Sequence, residues 1–203
     1  MSSEKEEDLE SLVSRIRVYL DISGVNEIAR RYFIMNSFDG VLTSLGIIIG
    51  SASAGLINTL FIISAVLGGA IAMAISGISG AYMAEKAERE RAFKKLKKAL
   101  IRDLKGSIQE RALRFATFYV ALVDGLAPFI SPIIVLTPFL LAYLGFIQPL
   151  ISLIISVVIG FTLLFTLGAF LGRISKGNVL VSGLKMIVAG VLTVLILFVL
   201  SLL

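Results

Sequence analysis

Long stretches of the chain carry no charge. The run from Gly40 to Ala84 holds 45 residues without one, the run from Phe115 to Gly172 holds 58 interrupted only by Asp124, and a last run of 18 covers Met186 to Leu203. A helix needs about 20 apolar residues to cross a bilayer, so the first two runs predict two spans each and the third predicts one more. The long run divides at Gly145 to Pro149, where a glycine, Gln148 and a proline together stop a helix. The predicted spans are about 32–50, 56–84, 115–144, 149–171 and 181–202. The second continues as a charged helix, AEKAERERAFKKLKKAL, into a basic connection over 85–114.

Residues 1–31 form a lead-in. Leu9, Leu12, Val13, Ile16 and Leu20 recur at helical spacing over 4–21, with acids crowding the first turn. That pattern predicts an amphipathic helix lying on the membrane surface or docking on a partner. Ser23 and Gly24 break it, and Asn26 stands where it can cap the helix that enters the membrane. The acidic start MSSEKEEDLE is unlike a cleaved signal, so the first span is expected to remain in the mature protein.

Composition agrees with the pattern. Hydrophobic residues make up 57% of the chain, charged residues 16%, and the mean hydropathy is +0.96. An all-α integral membrane protein with five transmembrane helices is therefore expected. Its 19 basic residues then fall on one side: five before the first span, eleven between Lys86 and Arg114, and Arg173, Lys176 and Lys185 before the last. The positive-inside rule makes that side the cytoplasm, with the N-terminus inside and the C-terminus outside. Three spans in the long run instead of two would carry Arg173 and Lys176 outside. The membrane is the plasma membrane in a prokaryote and an organelle membrane otherwise. A net charge of +5 raises the question of nucleic acid, but the basic residues flank spans rather than interleave with exposed aromatics, so anionic lipid at the basic connection is expected instead.

The chain has no cysteine and no histidine, which excludes disulfides, thiolate chemistry and imidazole proton relays. No Gly-x-Ser-x-Gly elbow or phosphate loop occurs, so neither an enzyme nor a permanently bound cofactor is expected. Asp39 and Asp124 are the ionisable groups left at membrane depth. An unpaired carboxylate there costs several kcal/mol, so each is expected to face a cavity, a partner or an ion. Each begins an Asp-Gly pair, in FDGVLTSLG and VDGLAPFIS, a faint sign of a parallel repeat. Helical spacing puts Met35 and Thr43 one turn either side of Asp39, with Asn36 three residues before it. Carboxylate, amide oxygen and thioether on one face suit a borderline-soft divalent cation, and equally a lone aspartate can bind a proton or cap backbone. Glu85 and Glu88 share a helix face where a cation could meet them, or form a solvated face beside anionic lipid. Small residues recur on span two at Gly69, Ser76, Gly77, Gly80, Ala81 and Ala84, marking a helix or subunit interface. Pro128, Pro132 and Pro138 predict a broken third span, either at a binding site or merely kinked for packing.

With these residues assembled, the chain resembles the vacuolar iron transporter family. The resemblance is carried by NSFDGVLTSLGIIIGSASAG in span one, AIAMAISGISGAYMAEKAERE in span two, and LLFTLGAFLGRISKGNVLVSGLKMIVAGV through spans four and five. It implies a five-span homodimer moving Fe²⁺ or related divalent metals such as Mn²⁺, commonly in exchange for protons. The family's pore aspartate falls on Asp39. Its span-two methionine has its nearest equivalent in Met73, or falls on Gly77 when Tyr82 sets the alignment. The family's span-two glutamate is replaced, with Gly69 in its neighbourhood, and Asp124 is the one intramembrane acid that could compensate. The acidic metal-binding insert of plant and fungal-type members is also missing; the connection here is basic. The function implied is divalent-metal transport coupled to protons. The alternative is a non-transporting scaffold or anionic-lipid-binding protein in which the aspartates tie helices together.

Overall fold

A computed structural model describes residue 14 and residues 16–100 and 106–200, and every regular element among them is helical. Five helices are long and apolar enough to cross a membrane: α1 (Val25–Ser53), α2 (Thr59–Leu100), α3 (Ile108–Tyr143), α4 (Pro149–Ile174) and α5 (Val179–Leu200). A short helical stretch, 16–23, precedes them. The N-terminal part of the expected amphipathic helix, residues 4–13, lies outside the described residues, as do 101–105 of the basic connection and 201–203.

The ends of the helices follow local chemistry. Gly24, at φ 60°, separates 16–23 from α1. Because α1 already begins at Val25, Asn26 sits inside its first turn and is not the cap that the sequence suggested; its carbonyl accepts from Arg30 Nε at 3.3 Å. Helix α1 closes on Gly55 in the left-handed region, with the Leu56 N–H donating to Ser51 O (2.9 Å) and Gly55 N–H to Ala52 O (3.0 Å). Asn58 Oδ1 then caps α2 by accepting the Phe61 N–H, and Asn178 Oδ1 caps α5 by accepting from Leu180 and Val181. At the start of α3, Ser107 Oγ accepts the Glu110 N–H while Glu110 Oε2 reaches back to the Gly106 N–H at 2.7 Å, a variant of the reciprocal cap. Pro149 opens α4, where its missing N–H costs nothing.

The chain divides into two compact units. In the first, Met1–Tyr32 with Ser76–Asp124, a small core of Val25, Ala116 and Val120 is covered by Leu20, Ile28, Tyr32 and Tyr119. Tyr19 of the short helical stretch lies 5.7 Å from the Phe115 ring, which in turn stacks on Tyr119 at 6.0 Å. The second unit, Phe33–Ile75 with Gly125–Leu203, has the larger core, in which Val41, Leu45 and Ile48 of α1 meet Ile62 and Val66 of α2, Val135, Leu136 and Phe139 of α3, and Leu164 of α4.

Lipid tails are as apolar as leucine, so these helices associate by close van der Waals fit rather than by escape from solvent. On α4 the buried positions recur every fourth residue: Ser152, Ser156, Gly160, Leu164, Gly168 and Gly172. A Cβ at Gly168 would stand 2.5 Å from Ser182 O and 2.8 Å from Gly183 Cα; one at Gly183 would stand 2.6 Å from the Phe165 ring. The backbones of α4 and α5 therefore touch. Helix α3 matches the second of the two expectations, a continuous helix rather than a break. Despite three prolines it runs unbroken from 108 to 143, and all three prolines are buried. Packed neighbours hold its path where the proline rings remove hydrogen bonds.

Gly168→Ala should lower stability by about 1–3 kcal/mol, because backbone on the facing helix cannot yield. Gly50→Ala, where a Cβ would meet nothing within 4 Å, should be close to neutral. Recovery of monodisperse protein after heating in detergent separates the two.

Candidate functional site

The Asp-Gly pair of α1 joins two environments. Gly40 is buried, and a Cβ there would fall on Ser131 Oγ, 3.0 Å from Pro132 Cδ and 3.1 Å from Pro128 Cα. The missing side chain lets α1 lie directly on the proline face of α3. Ser131 Oγ, at the bottom of this contact, is buried without a hydrogen-bond partner. One residue earlier, Asp39 turns the other way and is exposed on the surface of the chain.

Asp39 is flanked on that surface by Met35, which is 56% exposed, and by Thr43, with Asn36 half-buried beside them. The spacing of four residues places Met35, Asp39 and Thr43 in one column. From α2, the thioether of Met73 accepts the Thr43 hydroxyl hydrogen, with Sδ 3.8 Å from Oγ1. One turn back, Gly69 faces the same column, where a Cβ would make ordinary contact with Thr43 Cγ2 at 3.9 Å and Ile47 Cδ1 at 3.7 Å. The structure thus brings Met35, Asp39, Thr43 and Met73 to one outward face. Thr43, which fixes the sulfur beside the carboxylate's column, is the member whose role sequence spacing did not reveal.

The other acids named from sequence lie elsewhere. Asp124 is buried in the first unit, whereas Asp39 belongs to the second and is exposed, so the two Asp-Gly pairs do not share an environment. Glu85 is also buried and is taken by Arg89, whose Nε and terminal nitrogen lie 2.9 and 2.8 Å from Oε2. Glu88 is exposed. The carboxylate pair expected to meet a cation together is therefore divided, one member held by an arginine one turn away. Among the described residues no three His, Cys, Asp or Glu side chains lie close enough to enclose a metal ion. The outward face offers one carboxylate, one hydroxyl and thioether sulfur, an incomplete shell for a divalent cation.

Helix α2 carries a second feature on the surface. Ser64, Gly68, Ala72, Ser76, Gly80 and Ala84 follow one another every fourth residue, and all are exposed. Nothing lies within 4 Å of a Cβ built at Gly68 or Gly80. In lipid a stripe of this kind is a helix-packing surface, and among the described residues it stands uncovered.

No family model matches the chain. Over 175 residues it is 38% identical to the uncharacterized protein MJ0645 of Methanocaldococcus jannaschii, covering 84% of this chain and 87% of that protein.

The contact under Gly40 is testable by a mutant cycle. Gly40→Ala should lower the apparent Tm in detergent, Ser131→Ala alone should be neutral or slightly stabilising because it removes an unpartnered buried hydroxyl, and the pair should recover part of the loss. Additive effects of the two changes would show that the hydroxyl does not set the spacing.

Proposed function

The chain belongs to the same family as the uncharacterized protein MJ0645 of Methanocaldococcus jannaschii, and from the chemistry of its α1 face we propose that it is a homodimeric, proton-coupled transporter of a divalent metal, Fe²⁺ or Mn²⁺. The observation that carries this reading is the exposed Asp39 within a span. A carboxylate facing acyl chains costs about 3 kcal/mol even on the most lenient scale, so its face must be covered. A second copy is the cover with matching chemistry: it supplies a second carboxylate, hydroxyl and thioether, and completes a shell that one chain leaves half built. The unmatched small-residue stripe of α2 supplies the packing surface such a dimer needs.

Asp39 takes the metal as a carboxylate and can carry a proton when the metal leaves. Met73, held by Thr43, favours softer divalent ions over Mg²⁺ or Ca²⁺, whose preference is for oxygen alone. Met35 and Asn36 are weaker ligands at the edges of the column. The five spans run with the N-terminus in the cytoplasm and the C-terminus outside, which gathers every basic flank on one side. A scaffold or lipid-binding role without transport is the second reading, favoured by the basic connection; it predicts that Asp39 can lose its charge at no cost to transport.

In proteoliposomes loaded with a pH-sensitive dye, a panel of divalent metals should drive proton movement only for the ions carried, and Asp39→Asn should abolish that signal while leaving the dimer intact. Unchanged transport by this variant would sink the mechanism. The absence of native cysteine makes a second test clean. A single cysteine at Ala72 should form a disulfide-linked dimer in membranes under mild oxidant, whereas one at Leu195, also exposed, should not.

A further inference from the structure

The charged end of α2 and the start of α3 border an open cleft of about 500 Å³ within the first unit. Tyr82, Lys86 and Phe93 stand on the α2 wall, and Arg114, Thr117 and Phe118 on the α3 wall. Each set keeps helical spacing, so the cleft runs along both helices.

Its depth follows from the charge pattern. The uncharged run of α2 ends at Ala84 and that of α3 begins at Phe115. Tyr82, Thr117 and Phe118 therefore lie on the apolar side of the boundary, and Lys86 and Arg114 on the charged side. Tyr82 is 42% and Phe118 60% exposed, so an apolar wall stands open. Such a cleft, apolar toward the bilayer centre and cationic away from it, has the polarity of a phospholipid.

The charges select its sign. Arg89 is held by Glu85, and Arg114 is paired with Glu110 at 2.6 Å but keeps its side chain 80% exposed. Lys86 Nζ lies over the Tyr82 ring, 5.9 Å from its centroid, and so keeps its charge available to an anion. Glu90 also borders the cleft and subtracts from the attraction. The surrounding stretch from 85 to 114, with eleven basic and five acidic residues, leaves the local field positive. Basic pockets between spans at the headgroup level are a known physical solution to holding anionic lipid.

We propose that this cleft binds one anionic phospholipid, whose phosphate is drawn by Lys86 and Arg114 and whose glycerol and first acyl carbons lie against Tyr82 and Phe118. The site rests on α2 and α3 crossing a bilayer and not on metal transport. A diffuse basic surface would attract anionic lipid without a particular residue mattering; a cleft makes Lys86 matter more than its neighbours Lys94 and Lys95, which are exposed on the same helix outside it.

The test uses the full chain in detergent, with phosphatidylglycerol or phosphatidylcholine of identical acyl chains added and bound lipid counted by native mass spectrometry. One phosphatidylglycerol per chain should be retained where phosphatidylcholine is not. Lys86→Gln should weaken that retention about fivefold, and the Lys94→Gln, Lys95→Gln double variant should not change it. Phe118→Ala should also weaken retention of phosphatidylglycerol, and inorganic phosphate should fail to displace it. Equal retention of the two lipids, equal loss in the double variant, or full displacement by phosphate would each overturn the site. Resistance of the protein to alkaline extraction from membranes is measured in parallel. Extraction would overturn the membrane reading itself, whereas lost lipid preference in protein that stays in the membrane overturns only the cleft.

Discussion

Backbone-to-backbone approach is the constraint on which the second unit depends. In lipid, apolar side chains gain little by leaving their surroundings, so helices hold together only where surfaces fit closely. Gly168, Gly172 and Gly183 let α4 and α5 touch, Gly160 receives Leu45 of α1, and Gly40 seats α1 on the prolines of α3. Each contact removes a side chain at one position and thereby fixes where its neighbours point. Gly40 is the clearest instance. Its burial against α3 turns Asp39, one residue earlier and about 100° around the helix, away from the interior.

Much of this was legible in sequence because charge is so costly in a bilayer. Uncharged runs mark the helices long and apolar enough to cross it, and the same cost singled out Asp39. What the sequence could not show is which surfaces meet. Small residues on span two suggested an interface, yet the tight contacts among the described residues belong to α4 and α5, where small residues recur every fourth position from Ser152 to Gly172. A small residue permits close approach only if a partner arrives, and the partner is not written in the segment itself. The prolines of α3 left two readings open for the same reason. Read alone they break a helix; packed on neighbours they sit inside an unbroken one. Asn26 looked like a cap by type, but Gly24 had already turned the chain.

The site shows the same division. Met35, Asp39 and Thr43 were related by spacing on one helix, which periodicity reads well. Met73 comes from another helix, and its bond to Thr43 depends on how the two helices meet. Asp124 and Glu85 share Asp39's charge but not its situation, since burial and, for Glu85, an arginine one turn away distinguish them. A titratable residue's role is set by what faces it, and composition carries no record of that.

Exposure has the opposite meaning on this chain from its meaning on a soluble one. In water an exposed aspartate and an exposed Ser-Gly-Ala stripe would be unremarked surface. Within a bilayer the first is costly and the second is an open packing surface, and among the described residues both stand exposed. Covering the stripe alone would call for no more than an apolar helix. Covering Asp39 calls for polar groups or a cation, which is why the proposed dimer, whose second copy brings its own carboxylate and sulfur, would account for both exposures where a generic apolar partner would account for one.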